Sequence, residues 1–223
     1  MVSKRDFILD FAKGIIEQLS SVEPYLAQAR HVVAADGGIR HPLALGHLPD
    51  VLIGDLDSLP EGVTDALVNW DIEVVRYSPA KDETDLELAL LYAARRFPND
   101  DLFVLGGFGG RMDHTLANIL LLAHPLLNGH RVYLVEERQR AWLIVDETII
   151  SGHPGDTVSL IPLGGDVNVS ETTGLRWPLI DEVLAFGPAR GISNEMTGER
   201  ATVRLAGGRL LCVHTTGGRL ADA

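Results

Sequence analysis

Acidic residues follow several short apolar segments in the first 140 residues, at the points where those segments end. Gly54-Asp55-Leu56-Asp57-Ser58 follows the segment Val51 to Ile53, and Asp36-Gly37-Gly38 follows His31 to Ala35. Asp55 and Asp57 are two positions apart, so in an extended segment both side chains point the same way. This spacing indicates either a paired carboxylate site or two residues that cap a turn.

A cation would resolve the repulsion in such a site. Two carboxylates about 5 Å apart repel each other by roughly 3 kcal/mol at an effective dielectric of about 20, so a cluster must take up protons or bind a cation. Carboxylate oxygens suit Mg²⁺, which often shares its coordination shell with substrate phosphates. We therefore predict a Mg²⁺ site at Asp55 and Asp57, which also includes Asp36 and Asp85 if the strand ends bring these residues together.

The segment from Lys81 to Glu87 allows two interpretations. Thr84 and Glu87 have the spacing of a helix capping box, and Asp85 in the first turn suits the helix dipole, so capping alone can explain these residues. Lys81 fits that interpretation poorly, because a cation near a helix N-terminus is unfavourable. A bound anion at the same place would explain it.

A glycine run precedes the next predicted helix, which we expect to begin near Asp113. Residues 106–110 contain four glycines, which would let the main chain approach a phosphate closely. The run is neither a Walker loop nor a dinucleotide-binding fingerprint. Arg111 could donate two hydrogen bonds to phosphate oxygens. The alternative is a flexible turn in which Asp113 or His114 caps the helix.

Apolar periodicity places these residues on a parallel sheet. Helical spacing of Leu86, Leu90, Ala93 and Phe97 predicts a helix over Asp85 to Phe97, and Leu116, Ile119, Leu120 and Ala123 repeat that spacing. Alternation of strands and helices predicts a sheet covered on both faces, with ligands at the carboxyl ends of its strands. The predicted strands are Phe7 to Phe11, His31 to Ala35, Val51 to Ile53, Ile72 to Tyr77, Leu102 to Leu105 and Val132 to Val135.

The pattern changes after about residue 140. The remaining 83 residues contain 12 of the 23 glycines, and turn signals such as His153-Pro154-Gly155-Asp156 separate short apolar segments. The predicted strands are Trp142 to Val145, Thr157 to Ile161, Val183 to Phe186, Ala201 to Leu205 and Leu210 to His214. This pattern is typical of a small all-β sandwich or barrel. We predict an α/β fold: an N-terminal three-layer domain with a parallel sheet, residues 1–140, followed by a small all-β sandwich, residues 141–223.

Composition excludes several classes of protein. A net charge of −12 disfavours a nucleic-acid partner, and no apolar run approaches the roughly 20 residues that cross a membrane. The single cysteine, Cys212, excludes an intrachain disulfide. Residues 1–10 include Lys4, Arg5 and Asp6 and do not resemble a secretory signal, so we expect a cytoplasmic protein.

Several motifs, in this order, resemble those of the thiamine pyrophosphokinase family. In the first domain they are Asp36-Gly37-Gly38, Gly54-Asp55-Leu56-Asp57-Ser58, Asp82-Glu83-Thr84-Asp85-Leu86-Glu87 and Gly110-Arg111-Met112-Asp113-His114-Thr115-Leu116-Ala117-Asn118. In the second they are Gly174-Leu175-Arg176-Trp177-Pro178-Leu179 and Gly191-Ile192-Ser193-Asn194-Glu195. The resemblance covers nearly the whole chain.

The resemblance implies a homodimeric enzyme that transfers a diphosphate group from ATP to the hydroxyl of thiamine, giving thiamine diphosphate and AMP. It implies that thiamine sites are shared between two chains and that Mg²⁺ is the cofactor. The implied catalytic residues are Asp55, Asp57, Asp85 and Asp113, with Mg²⁺ held by Asp36, Asp55, Asp57 and Asp85. ATP or its phosphates would contact Asp36, Gly37, Lys81, Thr84, Gly110, Arg111 and Asn118. Thiamine would contact Asp113, Ser193, Asn194 and Trp177, although Trp177 could instead fill the sandwich core.

Three points stay open. Lys13 stands where the family is expected to have a small Asn-Gly element, so no nucleotide contact is assigned there. The alternatives to a thiamine enzyme are a pyrophosphokinase for another heterocyclic alcohol such as a hydroxymethyl pterin, a metal-dependent phosphohydrolase, and a non-catalytic module that senses nucleotide or thiamine. Either Asp57 or Asp113 could act as the base.

Overall fold

The structure is a computed structural model that describes residues 7–217. The prediction about a secretory signal rests largely on residues 1–6 and lies outside the described residues. The chain divides into two compact units, with the division between Glu137 and Arg138. Among residues 7–217, no helix has both the length and the apolar character needed to span a membrane.

The first unit contains a six-stranded parallel sheet, which confirms the predicted α/β class. The strand order is β6-β5-β1-β2-β3-β4, and every neighbouring pair is parallel. Its strands are β1 (Phe7–Phe11), β2 (His31–Ala35), β3 (Val51–Gly54), β4 (Glu73–Arg76), β5 (Asp101–Leu105) and β6 (Val132–Glu136). Its helices are α1 (Glu23–Leu26), α2 (Arg40–Ala44), α3 (Val63–Ala66), α4 (Asp85–Arg96) and α5 (Met112–Leu121), with short 3-10 helices at Leu19–Ser21, Asp36–Ile39, Leu67–Asn69 and Pro125–Leu127. The six predicted strands differ from the observed ones by at most one residue at either end.

The central strand β1 is covered on both faces, as a parallel sheet requires. Successive side chains of a strand point to opposite faces, and Ile8, Leu9 and Phe11 are all completely buried. Leu9 and Phe11 belong to an apolar cluster that also contains Val22, next to α1. Helix α4 packs across β1, β2 and β3. Strand β1 is therefore enclosed by side chains and helices on both faces of the sheet.

Asp10 is an exception within this core. Its side chain points to the face opposite Leu9 and Phe11, it is completely buried, and neither carboxylate oxygen has a hydrogen-bond partner among residues 7–217. Burial raises the pKa of Asp10 from its ordinary 3.8 to about 8. The carboxyl group is therefore mostly protonated in the folded protein at neutral pH.

Helix α5 forms as predicted, but its predicted apolar face is only partly covered. Leu116 and Leu120 are 54% and 59% exposed, whereas Asn118 is buried. Apolar spacing identifies one side of a helix, but whether that side is covered depends on which elements pack against it. Leu116 and Leu120 therefore lie outside the core formed by the described residues.

The second unit is all-β and antiparallel. One set of strands pairs in the order β12-β9-β14-β7, and a separate four-stranded sheet has the order β11-β10-β13-β8. Its strands are β7 (Gln139–Ile144), β8 (Glu147–Ser151), β9 (Thr157–Pro162), β10 (Val167–Thr173), β11 (Ile180–Leu184), β12 (Asn194–Glu195), β13 (Arg200–Gly207) and β14 (Leu210–Thr215). Alternate residues of β9 are buried, as expected for strands with one face on a core. The apolar pattern missed β8, β10 and β12, because polar side chains interrupt or shorten these strands.

Candidate functional site

A cavity of about 460 Å³ opens at the carboxyl edge of the parallel sheet. The strand order reverses between β1 and β5, and in open α/β sheets ligands bind at such a reversal. The loops after β1, β2, β3 and β5 all contribute to its lining. The predicted site residues in this lining are Asp36, Asp55, Asp57, Thr84, Asp85, Gly110, Arg111 and Asn118.

Three carboxylates in this cavity form a compact cluster. Asp36, Asp55 and Asp57 each place one oxygen so that all three atoms lie within 4.8 Å of one another. Asp36 is buried at 2% exposure, whereas Asp57 is exposed. Three hard oxygen donors at this separation fit a divalent cation such as Mg²⁺.

A turn, not an extended segment, brings Asp55 and Asp57 together. Leu56 has a φ of +67°, in the left-handed region, and Asp55 Oδ1 accepts a hydrogen bond from the main-chain N–H of Asp57 at 3.2 Å. Ser58 Oγ donates to Asp57 Oδ1 at 2.7 Å. The predicted proximity is therefore correct, but the reason given for it was wrong, since β3 ends at Gly54.

Gly54 makes room for the neighbouring carboxylates. Its φ is +148°, and a Cβ at this position would lie 2.9 Å from Asp36 Cβ and 3.0 Å from Asp85 Oδ1. Any larger residue would therefore displace both acidic side chains.

Asp85 lies in the same cavity but stands outside the three-carboxylate cluster. Lys81 Nζ donates to Asp85 Oδ1 and lies 3.7 Å from Asp55 Oδ2. Burial acts to lower the pKa of Lys81, but the hydrogen bond and charge of Asp85, with a smaller effect from Asp55, outweigh it and raise that pKa. In this arrangement Lys81 neutralises protein carboxylates, so a phosphate-binding role for Lys81 and a metal-binding role for Asp85 stay predictions.

Thr84 is the N-cap of α4. Its Oγ1 accepts a hydrogen bond from the main-chain N–H of Glu87 at 3.2 Å, which confirms the capping interpretation. Thr84 also lines the cavity, so capping does not exclude contact with a ligand.

The glycine loop after β5 presents the main chain to the cavity. Gly106, Gly109 and Gly110 have φ values of +68°, +83° and +75°, a region that strongly favours glycine. Asn118, buried in α5, donates from Nδ2 to the carbonyl of Gly107 at 2.7 Å and so holds this loop against the helix. The predicted phosphate contact of Asn118 stays a prediction, but a direct structural role is visible.

Arg111 and Asp113 form an ion pair just after the glycine loop, at the start of α5. Arg111 Nε donates to Asp113 Oδ1 at 3.1 Å, and its NH2 group donates to the other oxygen. The hydrogen bond from Arg111 lowers the pKa of Asp113 to about 2. Neither Asp113 nor His114 caps α5, whose N-cap residue is Arg111 without a side-chain capping bond, so the capping alternative is wrong.

The cavity lining also includes three residues that are not among the predicted ligand-binding residues. Lys13, Ser58 and His114 all face the cavity, whereas Gly37, Lys81 and Asp113 are absent from its lining. Lys13 and Ser58 each follow a strand by only a few residues, and this position was the available signal. The resemblance does not identify Lys13, because the resembled family is expected to have a small Asn-Gly element at this position.

A second cavity, of about 610 Å³, lies in the β unit and contains the other predicted residues. Trp177, Ser193 and Asn194 all line it. The side chain of Trp177 is 48% exposed, with the guanidinium of Arg176 5.0 Å from the ring centroid. The alternative that Trp177 fills the sandwich core is therefore wrong.

Asn194 holds the main chain of Trp177 in place. Its Oδ1 accepts from the Trp177 N–H at 3.1 Å, and its Nδ2 donates to the Trp177 carbonyl at 2.6 Å. Ser193 has a φ of +60°, and its N–H donates to Ser159 Oγ at 3.0 Å. The side chain of Asn194 thus positions Trp177, while Ser193 is exposed at the cavity.

Comparisons with known proteins match the two units of the chain to two domains of one family. The family model for the thiamin pyrophosphokinase catalytic domain matches residues 22–134, and that for the family's vitamin B1 binding domain matches residues 146–210. The thiamine pyrophosphokinase of Bacillus subtilis is 29% identical over 82% of this chain and 86% of its own length. Thiamine pyrophosphokinase 1 of Oryza sativa is also 29% identical, over 80% of this chain and 75% of its own.

Solved structures show the same fold. The crystal structure of the Bacillus subtilis thiamine pyrophosphokinase superposes with a TM-score of 0.83 at 27% identity, covering 95% of this chain and 99% of that one. Yeast thiamin pyrophosphokinase, at 19% identity, shares the fold with a TM-score of 0.77 over 96% of this chain and 87% of its own. The chain therefore belongs to the thiamine pyrophosphokinase family.

Proposed function

We propose that this protein transfers a diphosphate group from ATP to the hydroxyl of thiamine, giving thiamine diphosphate and AMP. The observation that carries the proposal is the cluster of Asp36, Asp55 and Asp57 beside a glycine loop, at the strand-order reversal of a unit that matches the family's catalytic domain. The match of the second unit to a vitamin B1 binding domain favours thiamine as the acceptor over a pterin alcohol.

We propose Mg²⁺ as the cofactor, held by Asp36, Asp55 and Asp57. The donor set is entirely carboxylate oxygen, which suits this ion. Bound there, Mg²⁺ would neutralise charge on the ATP phosphates. Asp85, which pairs with Lys81, would border the same phosphates and not complete the cluster.

The remaining residues of the first cavity would bind and align the phosphates. The main chain of the glycine loop, including Gly110, and the side chain of Arg111 face the space that a triphosphate would occupy. Gly37 lies outside this lining, directly after Asp36, and its nucleotide contact stays a prediction. Phosphoryl transfer depends mainly on such positioning and charge neutralisation.

The chemical step is an in-line displacement at the β-phosphorus. The thiamine oxygen forms a bond to that phosphorus, the bond to the α–β bridging oxygen breaks, and AMP leaves with that oxygen. The hydroxyl proton must pass to a base. Asp57 and Asp113 both stay candidates for this base, because Asp57 belongs to the proposed metal-binding cluster and Asp113 is paired with Arg111.

Product analysis tests this proposal. With ATP, Mg²⁺ and thiamine we expect AMP and thiamine diphosphate in equal amounts, and no turnover when a hydroxymethyl pterin replaces thiamine. Formation of ADP with thiamine monophosphate would contradict attack at the β-phosphorus. ATP hydrolysis that is indifferent to thiamine would indicate a phosphohydrolase, and binding of either substrate without turnover would indicate a sensing module.

We also propose a homodimer in which Trp177, Ser193 and Asn194 of one chain complete the thiamine site at Asp55 and Asp57 of the other. The support is that the two sets of residues lie in different units and line separate cavities. The proposed location is the cytoplasm, without a nucleic-acid partner, and the net charge of −12 supports the second part.

Complementation between inactive variants tests the shared site. Asp55→Asn and the double variant Ser193→Ala/Asn194→Ala are expected to be nearly inactive alone. Random pairing after co-folding makes about half of the dimers mixed. In a mixed dimer with shared sites, one site carries both lesions and the other is intact, so activity should recover to roughly a quarter of the wild-type value. No recovery, with mixed dimers verified by differential tags, would show that each site is built within one chain.

A further inference from the structure

We propose that Lys13 binds the triphosphate of the ATP substrate at the strand-order reversal of the sheet. This inference rests on the proposed function and adds a residue that departs from the resembled family. Lys13 follows β1 directly after Ala12 and lines the first cavity. The neighbouring strand across the reversal is β5, whose glycine loop lines the same cavity.

The main chain at Lys13 is held firmly. The N–H of Gly14 donates to the carbonyl of Gly106 at 2.8 Å, and a Cβ on Gly14 would lie 2.2 Å from that carbonyl oxygen. The guanidinium of Arg40 donates to the carbonyls of Lys13 and Gly14, and His41 Nε2 donates to the Gly14 carbonyl at 2.9 Å. These bonds place the lysine beside the glycine loop at little further cost in conformational entropy.

The side chain of Lys13 reaches toward the carboxylate cluster. Its ammonium group donates to Ser58 Oγ, which in turn donates to Asp57 Oδ1 at 2.7 Å. A Cβ on Gly37 would lie 3.4 Å from Lys13 Cδ and 2.9 Å from the Ser58 carbonyl, so Gly37 leaves the space through which the lysine passes. The cation therefore stands next to the proposed metal ligands without being bound to them directly.

Lys13 differs from Lys81 and Arg111 in having no carboxylate partner among residues 7–217. Lys81 is paired with Asp85, and Arg111 is paired with Asp113. Within residues 7–217, no carboxylate forms an ion pair with Lys13, and the only hydrogen bond of its side chain goes to a neutral hydroxyl. An ammonium group has three N–H donors, so two remain for an anion. A polyphosphate is the anion that this cavity is expected to hold.

Direct binding measurements test the proposal without depending on turnover. Calorimetry with ATP and Mg²⁺, in the absence of thiamine, compares wild type with Lys13→Met, which keeps most of the side-chain length but loses the charge. Loss of a hydrogen-bonded charge contact typically weakens binding by about 10- to 100-fold, and we expect a loss in this range. Inorganic tripolyphosphate, used as a second probe, should show a parallel loss. Lys13→Arg should stay within about threefold of wild type, because it keeps the charge.

Two comparisons separate charge from structure. Arg95→Met removes an exposed charge ten residues beyond the N-terminus of α4, about 15 Å along that helix, and should not change ATP affinity. Ser58→Ala removes the link to Asp57 but leaves the lysine charge, so its loss of affinity should be clearly smaller than that of Lys13→Met. In steady-state assays Lys13→Met should raise the KM for ATP and leave the KM for thiamine within about twofold.

The ATP affinities of the Lys13 and Ser58 variants decide whether Lys13 binds the triphosphate. Unchanged ATP affinity in Lys13→Met, or in Lys13→Gln as a second neutral variant, would overturn the proposal. Equal losses in Ser58→Ala and Lys13→Met would also overturn it, since the hydroxyl link would then explain the effect. If wild type binds ATP through Lys13 but forms no thiamine diphosphate, the proposed function fails while the role of Lys13 stands.

Discussion

Replacing Asp10 with asparagine should change how the free energy of unfolding depends on pH. Asp10 is completely buried in β1, has no hydrogen-bond partner among the described residues, and has a pKa raised from 3.8 to about 8. Between these two pH values the folded protein keeps a proton that the unfolded chain releases. The contribution of Asp10 to stability is therefore greatest below about pH 4 and falls as the pH rises toward 8.

The size of the effect follows from the shift. One pH unit within this window corresponds to about 1.4 kcal/mol, so the contribution of Asp10 falls by roughly 3 kcal/mol between pH 5 and pH 7. Asparagine has nearly the same shape and does not titrate. The free energy of unfolding of Asp10→Asn minus that of wild type should thus increase by about 3 kcal/mol over this interval, while the titration of all other groups cancels in the difference.

Urea unfolding at pH 5, 6 and 7 measures this difference. Trp70 packs against a cluster of the first unit and reports on that unit alone if Trp142 and Trp177 are replaced by phenylalanine in both proteins. Asp71→Asn, at an exposed position, is the matched control and should show no such trend. A difference between Asp10→Asn and wild type that stays constant with pH would refute the argument, because it would mean that Asp10 is ionised or solvated in the folded protein.

Three further predictions concern the two sites. Asp57→Asn should lower turnover by at least about 100-fold. The metal-free variant should be as stable as wild type or more so, because repulsion within the carboxylate cluster is removed. Near-normal turnover at low Mg²⁺ would mean that Asp57 only forms the turn. Asn194→Ala removes both side-chain hydrogen bonds to the main chain of Trp177 and should lower the free energy of unfolding by about 1–3 kcal/mol. It should also raise the KM for thiamine but not the KM for ATP. Unaltered thiamine kinetics would contradict a positioning role for Asn194. Gly38→Ala would place a Cβ 2.1 Å from a main-chain carbonyl of β1 and should cost about 3 kcal/mol or prevent folding, whereas Gly198→Ala, with no atom within 4 Å, should be tolerated in the same thermal-unfolding assay.

Much of the α/β unit could be predicted from the sequence because its signals are local. Strands buried on both faces appear as continuous apolar runs, and the residues after them must lie at one edge of a parallel sheet. This reasoning placed Asp36, Asp55 and Asp57 together, and the capping spacing correctly placed the start of α4 after Thr84. The strands β8, β10 and β12 were missed, because their polar residues interrupt the apolar pattern.

The sequence could not determine which charged side chains form ion pairs with one another. Lys81 was assigned to phosphate from its position, but in the structure its ammonium contacts Asp85 and Asp55. Arg111 similarly pairs with Asp113 and changes the pKa that a catalytic base would need. Such pairings depend on side-chain distances of a few ångströms, which residue spacing alone does not define.

The sequence alone determined the fold class, the order of the motifs and the family that they resemble, since each depends on residue type and local periodicity. Only the tertiary structure decided which faces of the helices and strands are buried and which side chains have an ion-pair or hydrogen-bond partner. It exposed Trp177 and Leu116. Among residues 7–217, it buried the carboxyl group of Asp10 without a hydrogen-bond partner and left Lys13 beside the carboxylate cluster without an acidic partner. The physical reason is that burial and pairing are set by segments far apart in the chain, whose approach no local pattern encodes.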